Sequence, residues 1–398
     1  MVCQAAIAWY SATRLTVGPC EDMSQTPLLN REQPPPAVKS RTRLLRYGLP
    51  LLVGGAIGIL LDFFRVPKLL DRIPGQALLI GFIPALYVGI LVHELGHLVA
   101  GLSTGFELRA LMVGAFLLAR EAQHWKVRVI SRRILAGGLT AMVLTSADRL
   151  AHRYVRFVLG GPAASMVLLA ITVLVPHGTA ARVLFVVNLL IVLSACVPFT
   201  WRSHSSDGKV LLLLMRKGPA ADRLAALLHL LAMDTQQIAP RKWPRALLEK
   251  LSIPTTDTAF LLSAIAIQYA DALDGGDPER IAEAIERALV ASPEAGPDVR
   301  RAFYLAASSF HGIFGNNLVL AEAWLEDARR VKGAVPQTHW DAKALGAIAL
   351  AKGERANACE CLTRYLAMLD RRPASGLIAA ERARTLDLIR ASSSLGTQ

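Results

Sequence analysis

Two histidines and a glutamate lie at metal-ligand spacing in the segment His93-Glu94-Leu95-Gly96-His97. On a helix, residues four apart share a face, so both imidazoles can bind one metal ion. Glu94 directly follows His93, which places its carboxylate close enough to the metal to take a proton from a bound water. These residue types at this spacing predict a metal site that activates water.

A catalytic zinc ion takes three protein ligands and keeps a fourth position open for water, so a third ligand is expected. The best candidate is Asp207, which is followed by Gly208 and comes just after an apolar stretch. Taken alone, an aspartate in that setting is more typical of a turn or a helix N-cap. The alternatives are Glu121, which lies 24 residues after the second histidine, and His204.

The segments that must position these residues are strongly apolar. Hydrophobic residues make up 53% of the 398 residues and charged residues only 19%, and the mean hydropathy is +0.39. This composition indicates membrane spans. The apolar stretches that can cross a bilayer are residues 47–61, 76–102, 157–175 and 180–199. The histidine motif lies in the second stretch, where ionisable residues are costly and usually functional.

The net charge of +13 comes from basic residues that cluster beside these apolar stretches. Nine basic residues lie between Arg109 and Arg156, whereas the loop at residues 176–181 carries none. By the positive-inside rule, both termini and the long loop are expected on the cytosolic side.

The sequence has no zinc-finger, helix-turn-helix or RNA-binding signature, so we expect no nucleic-acid partner. The five scattered cysteines predict no disulfide framework.

The loop between the second and third apolar stretches, residues 105–148, lacks helical periodicity. Its segment Lys126-Val127-Arg128-Val129 alternates polar and apolar residues, and Gly114 interrupts the loop. This pattern predicts short β-strands or hairpins lying against the membrane.

From residue 219 onward the pattern is that of soluble helices. Three similar turns lie 39 and 38 residues apart, at Gly276-Asp277, Gly315-Asn316 and Gly353-Glu354. A repeat of this length predicts stacked helix pairs, loosely similar to tetratricopeptide repeats, with an ordinary helical bundle as the alternative. The predicted fold is therefore mainly α. A disordered cytosolic tail (1–46) precedes a membrane domain of about four spans with a short β segment (47–218) and a soluble helical domain (219–398).

Over residues 75–215 the chain resembles the site-2 protease family of intramembrane zinc metalloproteases. In that family a membrane helix carries a His-Glu-x-x-His motif, often with a glycine before the second histidine, as Gly96 is here. A later Ser-Asp-Gly or Leu-Asp-Gly motif supplies the third zinc ligand, which matches Asp207. The family also tends to have a Gly-Pro pair near the start of the intervening span, which is similar to Gly161-Pro162 here. A glycine pair in the membrane-associated strands before that span is similar to Gly137-Gly138.

One position departs from the family pattern. The family often has an asparagine three residues before a proline that precedes the aspartate, but with Pro198 as that proline the position holds Ala195. The nearby asparagine is Asn188. By the resemblance, Asn188, Gly137 and Gly138 are candidates for binding substrate or the oxyanion.

The resemblance implies a multi-pass protein, expected in a bacterial cytoplasmic membrane, that cuts a membrane-protein substrate in or near a transmembrane segment. One Zn²⁺ per chain is held by His93, His97 and Asp207, and Glu94 acts as the general base. Residues 219–398 are expected to bind a cytosolic protein partner. An inactive scaffold that recruits partners through those residues is the main alternative. A second alternative is a transporter with a proton relay, although the spans show no internal repeat.

Overall fold

A computed structural model describes residues 73–121, 124–129, 137–144, 148–174, 178–201, 204–216, 218–253, 255, 257–334 and 338–394. The predicted disordered tail (1–46) and the predicted first span (47–61) lie outside the described residues. The described part is mainly helical and contains a small antiparallel sheet, as the sequence predicts.

Three helices in the described part are long and apolar enough to cross a membrane: α1 (Gly75–Ser103), α2 (Leu150–Leu174) and α3 (Thr179–Cys196). Their positions, length and apolar character agree with the last three predicted spans. Helix α2 begins seven residues before the predicted start of its span, at Leu150. In its first turns Arg153 donates to the carbonyls of Thr104 and Gly105, at 2.6 and 3.1 Å, which ties the start of α2 to the end of α1.

Helices α1 and α2 approach each other closely at a pair of glycines. A Cβ atom added to Gly96 would overlap the main-chain carbonyl of Gly160, and one added to Gly160 would overlap that of Gly96. Small residues allow membrane helices to pack backbone against backbone. The contact brings the main chain of α2 against the face of α1 that carries the two histidines. Helix α3 packs on the N-terminal half of α1 through Val183 and Val187, which are buried.

The segment between α1 and α2 forms one sheet. Its strands are β1 (Phe106–Val113), β2 (Phe116–Glu121), β3 (His124–Val129) and β4 (Gly138–Leu144). All neighbours are antiparallel and the order is β3-β2-β1-β4, so β4 is an edge strand. The β1–β2 turn requires Gly114, whose φ of 56° is left-handed and whose α-carbon lies against the ring of Tyr87. The predicted strands are confirmed, and their contact with a membrane stays a prediction.

A two-stranded hairpin and ten α-helices follow α3 in the described residues. They are β5 (Thr200–Trp201), β6 (His204–Ser205), α4 (Asp207–Met215), α5 (Pro219–Thr235), α6 (Arg245–Ser252), α7 (Thr258–Gly275), α8 (Pro278–Ala291), α9 (Pro297–Ile313), α10 (Leu318–Arg330), α11 (His339–Lys352), α12 (Arg355–Leu369) and α13 (Gly376–Ser394). The predicted boundary at residue 219 coincides with the start of α5.

The helices after residue 219 share a hydrophobic core with the first part of the chain. One buried cluster contains Leu144 of β4, Phe157 of α2, Leu227 of α5 and Leu377 of α13. The side chain of Thr235 in α5 also lies 3.1 Å from the main-chain oxygen of Leu144. Helix α5 is therefore packed directly on the elements that surround the histidine motif.

The three predicted turns join consecutive helices. Gly276 and Gly353 end α7 and α11 in the left-handed conformation, with φ of 68° and 75°. Asp277 then caps α8, accepting a hydrogen bond from the Arg280 amide. In the middle turn the left-handed residue is Asn316, with φ of 40°. The likeness of these helix pairs to tetratricopeptide repeats stays a prediction.

Candidate metal centre

Two elements far apart in sequence bring the candidate ligands together. Helix α1 carries both histidines on one face, and α4 begins at Asp207. The hydroxyl of Ser206 caps α4 by accepting from the Lys209 amide at 3.2 Å, and it donates to the carbonyl of Val197 at 2.6 Å. Because Val197 directly follows α3, this cap ties the start of α4 to the end of α3 and fixes the position of the aspartate.

The three candidate ligand atoms form a nearly equilateral triangle. The Nε2 atoms of His93 and His97 are 3.2 Å apart, and they lie 3.1 and 3.3 Å from Oδ2 of Asp207. Bonds of about 2.0 Å to a tetrahedral zinc ion place neighbouring ligand atoms roughly 3.3 Å apart. All three side chains are buried, and His97 is completely inaccessible to solvent. The residues therefore fit a zinc ion in both ligand chemistry and spacing.

The far side of each imidazole contacts α2. Nδ1 of His97 lies 2.9 Å from the main-chain oxygen of Phe157, and Nδ1 of His93 lies 3.0 Å from the hydroxyl of Ser165. The Phe157 carbonyl only accepts, whereas the Gly161 amide, 3.3 Å from the same Nδ1, only donates. The shorter contact favours the tautomer with the proton on Nδ1, which leaves the Nε2 lone pair for a metal. Helix α2 comes this close because Gly161 has no side chain, since a Cβ there would overlap the His97 ring.

The charge state of Asp207 suits a ligand to a cation. Burial raises the pKa of its carboxyl, but the adjacent imidazoles of His93 and His97 outweigh burial and hold that pKa below its usual range. The carboxyl is therefore an anion at neutral pH, and carboxylates bind metals in this form.

The sheet holds the glutamate of the motif from the opposite side. The hydroxyl of Thr140 in β4 lies 2.6 Å from Oε2 of Glu94 and 3.0 Å from its main-chain oxygen. Gly138, two residues earlier in the same strand, faces the Glu94 carboxylate so closely that a Cβ atom would overlap it. The edge strand of the sheet therefore fixes the carboxylate beside the two histidines.

The other candidate residues lie in different surroundings. Asn188 is completely buried in α3, and its Nδ2 donates to the main-chain oxygen of Ser165 at 2.7 Å. Gly137 has open space around the position of a Cβ atom. The side chains of Glu121 and His204 are outside the described part. Of the sequence candidates, the structure brings together the two histidines, Glu94, Asp207 and Gly138.

Sequence reasoning missed two side chains at this site, Thr140 and Ser165. One signal for Ser165 was available, because Gly161 and Ser165 are four residues apart on α2, as the two histidines are on α1. In helices that pack antiparallel, such pairs face each other, so Gly161 meets His97 and Ser165 meets His93. Thr140 had no comparable signal, because its contact depends on the register of β4 against α1.

Comparison with known proteins gives one family. A family model described as peptidase family M50 matches residues 81–288, which is more than half of the chain. The matched range begins in α1, ends in α8 and includes every residue of the candidate site. No curated protein and no solved structure matches the chain.

Proposed function

The chain belongs to peptidase family M50, and we propose that it is a zinc protease that cuts membrane-protein substrates in or near a transmembrane segment. Membership of the family implies an intramembrane metalloprotease. Three helices able to cross a membrane agree with this. The observation that carries the proposal is the buried triangle of His93, His97 and Asp207 with Glu94 beside it.

In the proposed mechanism each polar residue has a separate task. His93, His97 and Asp207 would hold the metal, and a bound zinc ion would supply a Lewis acid for the scissile carbonyl and for water. Glu94 takes the proton from the attacking water and delivers it to the leaving amine. Thr140 orients the Glu94 carboxylate through its 2.6 Å hydrogen bond. The packed surroundings exclude bulk water, which strengthens each of these electrostatic interactions.

The proposed substrate is a membrane helix that unwinds before it is cut. A helix hides its own carbonyls, and unwound backbone in a membrane needs new hydrogen-bond partners. Strand β4 is an edge strand, and two of its residues, Gly138 and Thr140, contact Glu94. An unwound segment that adds to this edge gains main-chain hydrogen bonds next to the catalytic carboxylate.

We further propose that α5 to α13 select or gate the substrate by binding a protein partner on the cytosolic side. Two contacts connect these helices to the site. Thr235 of α5 touches the end of β4. Lys209, two residues after Asp207, forms a 2.7 Å ion pair with Asp257, the N-cap of α7. A movement of α5 or α7 therefore acts on the elements that hold Glu94 and Asp207.

Metal removal tests the proposal. We expect the full chain, purified in detergent, to hold about one zinc per chain by elemental analysis, as a three-ligand site requires. A strong chelator should abolish cleavage of a membrane-segment substrate, and added Zn²⁺ should restore it. A wild-type protein that takes up no zinc would contradict the proposal and favour the inactive scaffold. Zinc without cleavage of any tested segment would also favour the scaffold.

Replacing Gly138 with alanine should reduce cleavage about 100-fold while zinc stays bound. The added Cβ overlaps the Glu94 carboxylate, and a displacement of about 1 Å in a catalytic group costs activity of this order. Gly137→Ala is the matched control, because its Cβ meets nothing within 4 Å. Initial cleavage rates and zinc content of both variants decide the matter. Equal rates for the two variants would contradict the predicted contact, and a defect confined to Gly137→Ala would indicate that this position meets substrate.

A further inference from the structure

We propose that Ser165 is a positioning residue for the metal site, and that Asn188 acts through Ser165. This inference rests on the proposed zinc site. The hydroxyl of Ser165 lies 3.0 Å from Nδ1 of His93. The main-chain oxygen of the same residue accepts the Asn188 amide at 2.7 Å. Ser165 and Asn188 are both completely buried. Together they form a chain of contacts from α3 through α2 to a metal ligand on α1.

The hydroxyl decides which nitrogen of His93 faces the metal. An imidazole can turn over about its bond to Cβ and present either nitrogen, and a hydrogen bond to one nitrogen selects the orientation. For Nε2 to bind a metal the ring proton must lie on Nδ1, where the Ser165 hydroxyl, 3.0 Å away, can accept it. Nε2 then faces Asp207, 3.1 Å away. Ser165 is completely inaccessible to solvent, so removing its hydroxyl takes from Nδ1 the partner it has in the structure, at the cost of an unsatisfied buried group.

The two histidines differ in how easily this support is lost. His97 is oriented by a main-chain carbonyl, that of Phe157, which no side-chain substitution removes. His93 depends on a side-chain hydroxyl. A substitution at Ser165 therefore removes the hydrogen bond that orients His93 and leaves the one that orients His97. We expect it to weaken metal binding by His93 alone.

Asn188 serves to place the hydroxyl. One of its amide N–H groups holds the Ser165 carbonyl and so fixes how α2 is rotated against α3 at that point. Its Oδ1 has no hydrogen-bond partner among the described residues, and the whole side chain is inaccessible to solvent. A residue in this position acts on the metal site through Ser165 and does not reach a substrate from the solvent side.

The first experiment measures zinc affinity of the full chain in detergent by competition with a chelator. Ser165→Ala should weaken zinc binding about 10- to 100-fold, the usual cost of removing the group that orients a metal ligand. Ser194→Ala is the control, because Ser194 is also a membrane-helix serine but is exposed and bonds only the main chain of its own helix. The absorption spectrum of the Co²⁺ form should change in Ser165→Ala and not in the control. Unchanged affinity and spectrum in Ser165→Ala would overturn the proposal.

The second experiment tests whether Asn188 acts through Ser165. Asn188→Ala should weaken zinc binding as Ser165→Ala does, and the double variant should be little weaker than either single one, because coupled residues are not additive. Normal zinc affinity with lost cleavage in Asn188→Ala would overturn this part and assign the residue to substrate. Thermal unfolding of the metal-free variants shows whether they fold. A wild type without zinc is a separate result, which refutes the proposed function itself.

Discussion

Replacing Asp207 with alanine is expected to lower zinc content from about one per chain to well below half, with loss of all measurable cleavage. Two histidines alone leave the metal with too few protein ligands. Within the described part of the chain no other group of three ligand atoms could hold the ion, since the one such group there is the triangle of His93, His97 and Asp207. The variant also leaves both imidazoles without their anionic partner.

The control for this variant is Asp222→Ala, which removes an exposed aspartate from the first turn of α5. It should keep zinc and activity. Elemental analysis of zinc content in the two variants and the wild type tests directly whether Asp207 is a ligand. Full zinc content in Asp207→Ala would move the third ligand to Glu121 or His204, and the same measurement on Glu121→Ala and His204→Ala would then separate these two.

The local parts of the site could be predicted from the sequence. The spacing of His93 and His97 places two imidazoles on one helical face, and the apolar residues around them predict a membrane-spanning α1. The short motif around Asp207 marked a third ligand, although the residues alone also allowed Glu121 and His204. These predictions needed only periodicity and the chemistry of side chains.

The contacts that complete the site could not be predicted in the same way. Thr140 and Gly138 reach Glu94 because β4 is the edge strand nearest α1. That position depends on how the four strands are ordered. An alternation of polar and apolar residues predicts a strand but not its place in the sheet. Ser165 meets His93 because glycines at positions 96 and 160 set the distance and rotation of two helices.

The relation between the two halves of the chain also depended on packing. The change of character at residue 219 predicts a separate soluble domain. In the structure, α5 buries its leucines in the same cluster as Leu144 and Phe157. A helix with an apolar face shows that it packs against something, but the face does not identify what it packs against. Through this shared core, the partner proposed for α5 to α13 would act directly on the elements that hold the site.

Replacing Glu94 with glutamine should reduce the rate of cleavage by about 100- to 10,000-fold, the range that a general base contributes. Glutamine has the same shape, and its amide oxygen can still accept the Thr140 hydroxyl, which lies 2.6 Å from Glu94 in the wild type. The substitution therefore removes proton transfer while it keeps the packing. Zinc content is expected to stay at about one per chain, because Glu94 is not among the three ligand residues.

Single-turnover cleavage rates and zinc content of Glu94→Gln, measured beside Glu107→Gln, distinguish the roles. Glu107 lies in β1 with half of its side chain exposed, so its variant should cut at the wild-type rate. Wild-type cleavage by Glu94→Gln would exclude Glu94 as the base. Loss of zinc in the same variant would make Glu94 a ligand instead. We expect Glu94→Gln to keep zinc and lose cleavage, whereas Asp207→Ala should lose both. This pair of results would distinguish the residue that transfers the proton from a residue that binds the metal.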